Sequence, residues 1–330
     1  MATFQQLSAI PYLDARNLGG RTITSLCFYD AGAWRMWLEA EGAGLVEVQA
    51  WPAESTYFGN QPAHGDDLSL HFLNFMAQRA CFPEVMRAVK GIHDDFYNLS
   101  ASLGKIEHLH QTRAAVGPGA HRMVIAEVEY LFLICRSVFD LVQEIACKLW
   151  ETVRLNDLTV IKKPLKTSFN DMVRYRGQSV TQEVTMQRFG LPAPWADFYV
   201  GWQDFFGQLR TFRDNVVHNG SRVQSVFVGD TGFQIAIALR PFAAMNVWRA
   251  EERGVNDLVP LMPALGVVIY QTLAACDHFS RVVESSVAFP PPIAPGMHLF
   301  MRGYFNESFA RILRDAGERM PRVLAATDVD

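Results

Sequence analysis

Apolar positions recur every three or four residues along several stretches of this chain. Val124, Val128, Leu131, Cys135, Val138, Val142, Ile145 and Leu149 form one stripe, which predicts a long amphipathic helix from Ala120 to about Thr152. Trp195, Phe198, Trp202, Phe205, Leu209, Phe212 and Val216 alternate steps of three and four. That is the core stripe of another long helix, with Gly220 as its C-terminal stop. Between them, Phe169 to Arg176 reads as a short helix ended by Gly177. A further long helix is expected from about Val259 to Ser286. Leu258 to Cys276 carries no charge, but Pro260, Pro263 and Gln271 interrupt it and basic flanks are missing. A buried bundle helix explains that run better than a membrane span.

A period of two appears after Gly220. Phe233, Ile235, Ile237 and Leu239 alternate with Gln234, Ala236, Ala238 and Arg240, and Gly229-Asp230-Thr231-Gly232 precedes them. This predicts a β-hairpin pairing 222–228 with 233–240. The first 117 residues are less regular. Ile23–Tyr29 and Gly44–Trp51 read as short strands, Glu39–Gly44 and Pro52–Asp67 as loops, and Leu68–Phe82 as helix. Pro83 is placed to start the next helix, running to about Arg113, and Gly117-Pro118-Gly119 is a break. Pro290-Pro291-Pro292 begins a rigid linker, and Asn306–Glu318 is a last amphipathic helix. The expectation is therefore a mainly α protein in three parts. They are a partly helical α or α+β region over 1–117, a four-helix bundle over 118–288 with a β-hairpin inserted at 221–240, and a Pro-rich linker with a C-terminal helix over 289–330.

Composition narrows the function classes. With 49% hydrophobic and 19% charged residues, the chain is packed and globular. A formal charge of -4 argues against a broadly basic surface for long nucleic acids. The five cysteines show neither paired spacing nor a Cys/His ligand pattern, so no metal is expected, and no cofactor fingerprint is present. The odd cysteine count and the absence of a basic start followed by an apolar run at Met1–Ile10 predict a cytoplasmic protein without a signal peptide.

One stretch suggests chemistry: Arg213-Asp214-Asn215-Val216-Val217-His218-Asn219, at the end of the aromatic helix. A histidine can move a proton near neutral pH, and an arginine fork can hold a phosphate. Together they suit metal-free phosphodiester cleavage, with Asp214, Asn215 or Asn219 orienting the imidazole or holding the ribose. Five helical residues advance about 140° net, so Arg213 borders the core face and His218 points away from it. With one such histidine per chain, an acid and a base together require two copies, a homodimer with a shared cleft. The competing reading is structural, since a histidine at a helix C-terminus is favoured by the helix dipole alone. The same spacing class also recurs at Arg87–His93.

Arg174 and Arg176, near Lys162, Lys163 and Lys166, form the most basic run and would guide an RNA backbone if close to Arg213. Glu107, His108 and His110 suit a metal poorly, because a spacing of two puts the histidines on different sides of a helix.

The order of a long helix, a short helix, a third helix ending in Arg-polar-x-x-x-His, and a long fourth helix resembles the HEPN superfamily of helical bundles, over about Ala120 to Ser286. The resemblance implies a metal-independent endoribonuclease that acts as a dimer. It further implies a setting in toxin–antitoxin or antiphage systems, with RNA and an antitoxin or regulatory protein as partners. Arg213 and His218 would be the catalytic pair and Asp214 their polar support. The family also contains members that serve only as binding or dimerisation modules. The hairpin and the N-terminal part depart from its simplest bundle.

Overall fold

The computed structural model describes residues 3–50, 52–219, 225–238, 242, 245, 247–303 and 306–320, with residues 215–219 and 306 described through their backbone alone. The mainly α expectation does not hold. Among the described residues the protein is α+β and 55% helical, with ten α-helices, a five-stranded mixed sheet and two smaller sheets. It divides into two compact units. One comprises 1–93, 140–201 and 276–307, and the other 94–139, 202–275 and 308–330.

The first unit holds the five-stranded sheet. Its strands are β1 (Cys27–Asp30), β2 (Ala33–Ala40), β3 (Gly44–Val48), β4 (Ser55–Gly59) and β10 (His298–Arg302). They lie in the order β10-β4-β1-β2-β3; β1 and β4 run parallel and the other pairs are antiparallel. The reason for the correction lies in how these strands are buried. Tyr57 and Phe58 of β4 are both fully buried, as are nearly all of Leu299, Phe300 and Met301 of β10. A strand covered on both faces shows no alternation of apolar and polar residues, so a period-two search passes over it. β10 also follows the prolines read as the start of a linker, yet Ile293 and Ala294 beside it are fully buried.

Helix α2 (His71–Phe75) continues into a π-helical turn, Met76–Ala80, within the stretch expected to be ordinary helix. Helix α3 (Met86–Gln111) follows, and then α4 (Arg113–Val116), which stops at Gly117 with φ 69°. The long helices α5 (Gly119–Thr152), α8 (Ala193–Asn219) and α9 (Leu261–Ser286) fall where the stripes place them. In this unit their ends pack through Trp150 on Trp195, Trp195 and Phe198 on Phe279, and a buried hydrogen bond from the Tyr199 hydroxyl to Gln143 Oε1 at 2.9 Å. The expected short helix closes early. α6 ends at Val173, and Arg174–Tyr175 (β5) pairs with Gln178–Ser179 (β6) around Gly177. α7 (Gln182–Phe189) follows and ends on Gly190 in the left-handed conformation.

In the second unit, α5 and α8 meet through Phe132 on Phe212, at 4.1 Å between ring centroids, and through Phe139 on Phe205 and Phe206. The hairpin forms with the expected turn. β7 (Phe227–Val228) pairs with β8 (Phe233–Ala236), with Phe233 and Ile235 buried. A third strand, β9 (Leu258–Pro260), joins β8, so the expected start of the fourth helix is strand. The outer part of the expected hairpin lies outside the described residues. α10 (Asn306–Arg319) completes the order of elements.

Candidate functional site

The sequence motif occupies the last turns of α8. Leu209 and Phe212 are buried, and this anchors the helix one residue before the motif begins. Arg213 follows on the exposed flank, its side chain 45% exposed, and its Nη1 donates to Asp214 Oδ1 at 3.1 Å. Asp214 Oδ2 also lies 3.4 Å from Arg210 Nε, one helical turn back. One carboxylate therefore sits between two guanidinium groups. The helical backbone runs unbroken to Asn219. The side chains of Asn215, His218 and Asn219, together with Gly220, lie outside the described residues.

The supporting residues are placed as follows. Arg174 and Arg176 belong to the first unit and Arg213 to the second. Arg174 Nη1 donates to Ser179 Oγ at 3.0 Å, and the Arg176 guanidinium covers the Tyr175 ring. Lys162 Nζ donates to the carbonyls of Trp150 and Val153, satisfying the C-terminal end of α5. Lys163 Nζ donates to Gln187 O at 2.7 Å. Those lysines act as structural braces. Glu107 accepts from Ser308 and Arg311, and His110 Nε2 bonds Gly229 O at 2.9 Å, holding the turn of the hairpin. Arg87 pairs with Glu144 at 2.7 Å. Among the described residues no cluster of three or more His, Cys, Asp or Glu side chains could hold a metal. The cysteines are free, and burial pushes the thiols of Cys27 and Cys81 up to about 11 and that of Cys135 up to about 12.

A second arrangement escaped sequence reading. In the first unit a cavity of about 270 Å³ lies against α2, the π-helical turn, the last turn of α9 and the loop before β10. His71, Asn74, Arg79, Glu284 and His298 line it, with Phe75 and Met297 among its apolar walls. Glu284 stands 3.6 Å from both His71 Nε2 and Arg79 Nε, too far for a hydrogen bond with either. Gln78 is 4% exposed and fixes the loop opposite. Its amide donates to Ala294 O and Met297 O, and its Oε1 accepts from Ala294 N at 2.9 Å. Asn74 Oδ1 accepts from Leu299 N at 2.8 Å. These residues come from two segments some two hundred positions apart, and no local spacing in either marks them.

No family model matches the chain, and neither the curated proteins nor the solved structures contain a significantly similar one. No helix among the described residues is long and apolar enough to cross a membrane.

Proposed function

We propose that the end of α8 is a phosphodiester site and that the protein is a metal-independent endoribonuclease acting as a homodimer. The single observation that carries this reading is the placement of Arg213. It stands exposed beside Asp214 on a helix anchored by the buried Phe212 and continuous through the His218 position. The resemblance of the motif to the HEPN pattern supports the chemistry alone, since the mainly α four-helix bundle expected with it gives way to an α+β fold.

In this reading His218 takes the proton from a ribose 2′-hydroxyl. The 2′-oxygen bonds to phosphorus, the bond from phosphorus to the 5′-oxygen breaks, and the His218 imidazolium of the second copy returns a proton to that oxygen. The products are a 2′,3′-cyclic phosphate and a 5′-hydroxyl end. Arg213 spreads its fork over the phosphoryl oxygens as charge builds there. Asp214 orients Arg213, and Asn215 and Asn219 hold the ribose. A cytoplasmic setting in toxin–antitoxin or antiphage defence, with an antitoxin or other regulatory protein as partner, belongs to the same reading.

A second reading, a binding or dimerisation module without catalysis, is favoured by one specific contact. Asp214 sits between Arg210 and Arg213 and neutralises part of the charge a phosphate would use. Incubating the pure protein with single-stranded RNA in EDTA separates the two. Cleavage that leaves 2′,3′-cyclic ends and is abolished in His218→Ala and Arg213→Ala supports the nuclease. Undiminished RNA binding without cleavage supports the module, and equal cleavage by wild type and both variants sinks the assignment of the site.

A further inference from the structure

The cavity beside the π-helical turn has the chemistry of a binding site that the nuclease reading does not use. Its lining offers two opposite formal charges, Arg79 and Glu284, which cancel. Both charges are only loosely engaged with the protein. Glu284 makes two contacts at 3.6 Å, and neither of its oxygens accepts a hydrogen bond among the described residues. Arg79 touches Glu284 through Nε alone, so its Nη1 and Nη2 fork finds no protein acceptor among those residues. Asn74 spends its oxygen on Leu299 N, which leaves its amide N–H groups as donors. His298 adds an exposed imidazole at the rim.

The frame around these groups is held by hydrogen bonds. Gln78 makes three hydrogen bonds to the 294–297 loop, and Arg21 Nη1 donates to Gln78 O at 2.6 Å. A helix interrupted by π-type turns is a recurrent feature of functional sites, because the extra residue re-aims the side chains that follow. Here that turn carries both Gln78, turned inward to the loop, and Arg79, turned to the cavity. A volume of about 270 Å³ falls just short of drug-sized pockets, which run from roughly 300 to 1,000 Å³. The occupant is therefore small.

We infer that this cavity binds a small zwitterion of amino-acid type. The carboxylate goes to the Arg79 fork and the Asn74 amide, the ammonium goes to Glu284, and the body rests on Phe75 and Met297. A plain anion would meet the Glu284 carboxylate, and a plain cation would meet Arg79. Only a ligand bearing both charges satisfies the two together.

The test is calorimetric titration of the full chain with each of the common L-amino acids, with inorganic phosphate and acetate as single-charge probes. The expected result is saturable binding of at least one amino acid. Its N-acetyl and carboxamide derivatives should bind about tenfold more weakly or worse, the loss of one charge-assisted contact each. Arg79→Gln should remove binding. Glu284→Gln should weaken the free amino acid while leaving the N-acetyl form unchanged. Both side chains are half-exposed, so unchanged circular dichroism will show that the variants fold. No binding by any amino acid, or phosphate or acetate binding as tightly as the best one, overturns the inference. RNA cleavage is read separately at Arg213 and His218, so either proposal can fail without the other.

Discussion

Arg319 grips Glu252 at 2.6 Å while its own side chain is only 4% exposed. It also donates to Asp315 Oδ2 at 2.7 Å and to Val247 O at 3.0 Å, so the guanidinium is fully spent on the second unit. This buried fork ties α10 to the 247–252 segment. Arg319→Ala leaves Glu252 without its main partner and should lower stability by roughly 3–5 kcal/mol, measured by urea unfolding at neutral pH. The hydrogen bond from Arg319 holds the Glu252 carboxyl below its usual range, despite its partial burial. A depressed carboxylate contributes stability that is present above its unfolded pKa and lost as pH falls through the folded one. The Arg319 variant should therefore show a shallower loss of stability on acidification than wild type.

Asp95 has the opposite sign. Burial, with the charge of Asp94 second, raises its carboxyl from 3.8 to about 6. The folded state then holds the proton more tightly than the unfolded one. The resulting contribution is fully present below about pH 4 and is lost as pH rises through about 6. Asp95→Asn removes the penalty on the ionised form. Because the group is only half-buried, the expected gain at pH 7.5 is screened to roughly 1 kcal/mol, and it should vanish at pH 4. Paired denaturation curves at the two pH values check it, and a gain equal at both would refute the assignment.

Tyr199 and Gln143 form a buried polar contact inside the aromatic packing of α5 and α8, and the Gln143 amide donates onward to Lys166 O at 2.6 Å. Gln143 is fully buried, and its Oε1 accepts only from the Tyr199 hydroxyl among the described residues. Tyr199→Phe keeps the ring and strands that oxygen, at a cost of about 1–3 kcal/mol. Gln143→Met also removes the amide donor to Lys166 O, so the double change Tyr199→Phe with Gln143→Met should cost less than the sum of the two single changes, a double-mutant cycle read from unfolding midpoints.

Gly190 ends α7 with φ 65° and ψ 35°. A Cβ there would run into the Ile161 carbonyl oxygen. Gly190→Ala therefore adds a steric conflict to the left-handed strain of roughly 1–2 kcal/mol. Its melting temperature should fall further than that of Gly20→Ala, where φ is 82° but the space is open.

Long one-sided helices were readable because a single buried stripe repeats over many turns; α5 (Gly119–Thr152) matches the expected Ala120 to Thr152, and α8 (Ala193–Asn219) encloses the stripe from Trp195 to Val216. The hairpin turn at Gly229–Gly232 was readable for the same reason, in period two. In the five-stranded sheet, β1 and β3 overlap the expected strands Ile23–Tyr29 and Gly44–Trp51, whereas β2, β4 and β10 were not readable. β2 carries Trp34, Met36 and Leu38 on one side and Trp37 on the other, and β4 and β10 are covered on both faces, so burial left no alternation to find. The candidate site at the end of α8 was legible as a spacing, and the ion pairs of Asp214 with Arg210 and Arg213 were within reach of a helix-face argument. The cavity was not legible. His71 to Arg79 come together with Glu284 to His298 only through β10 and its approach, and the π-helical turn that presents Arg79 has no signature in the order of its residues.

The position of β10 also sets a timetable for synthesis. β4 is an interior strand whose outer neighbour, pairing from Ser55 with Arg302 to Gly59 with His298, is made some two hundred and forty residues later. Until the ribosome has released that stretch, the nascent chain presents the backbone of β4 as an unpaired edge, and such edges recruit other chains. Closing so long a loop is also slow in kinetic terms. The sheet is completed only once β10 has been made, and until then β4 remains open to pairing with other chains.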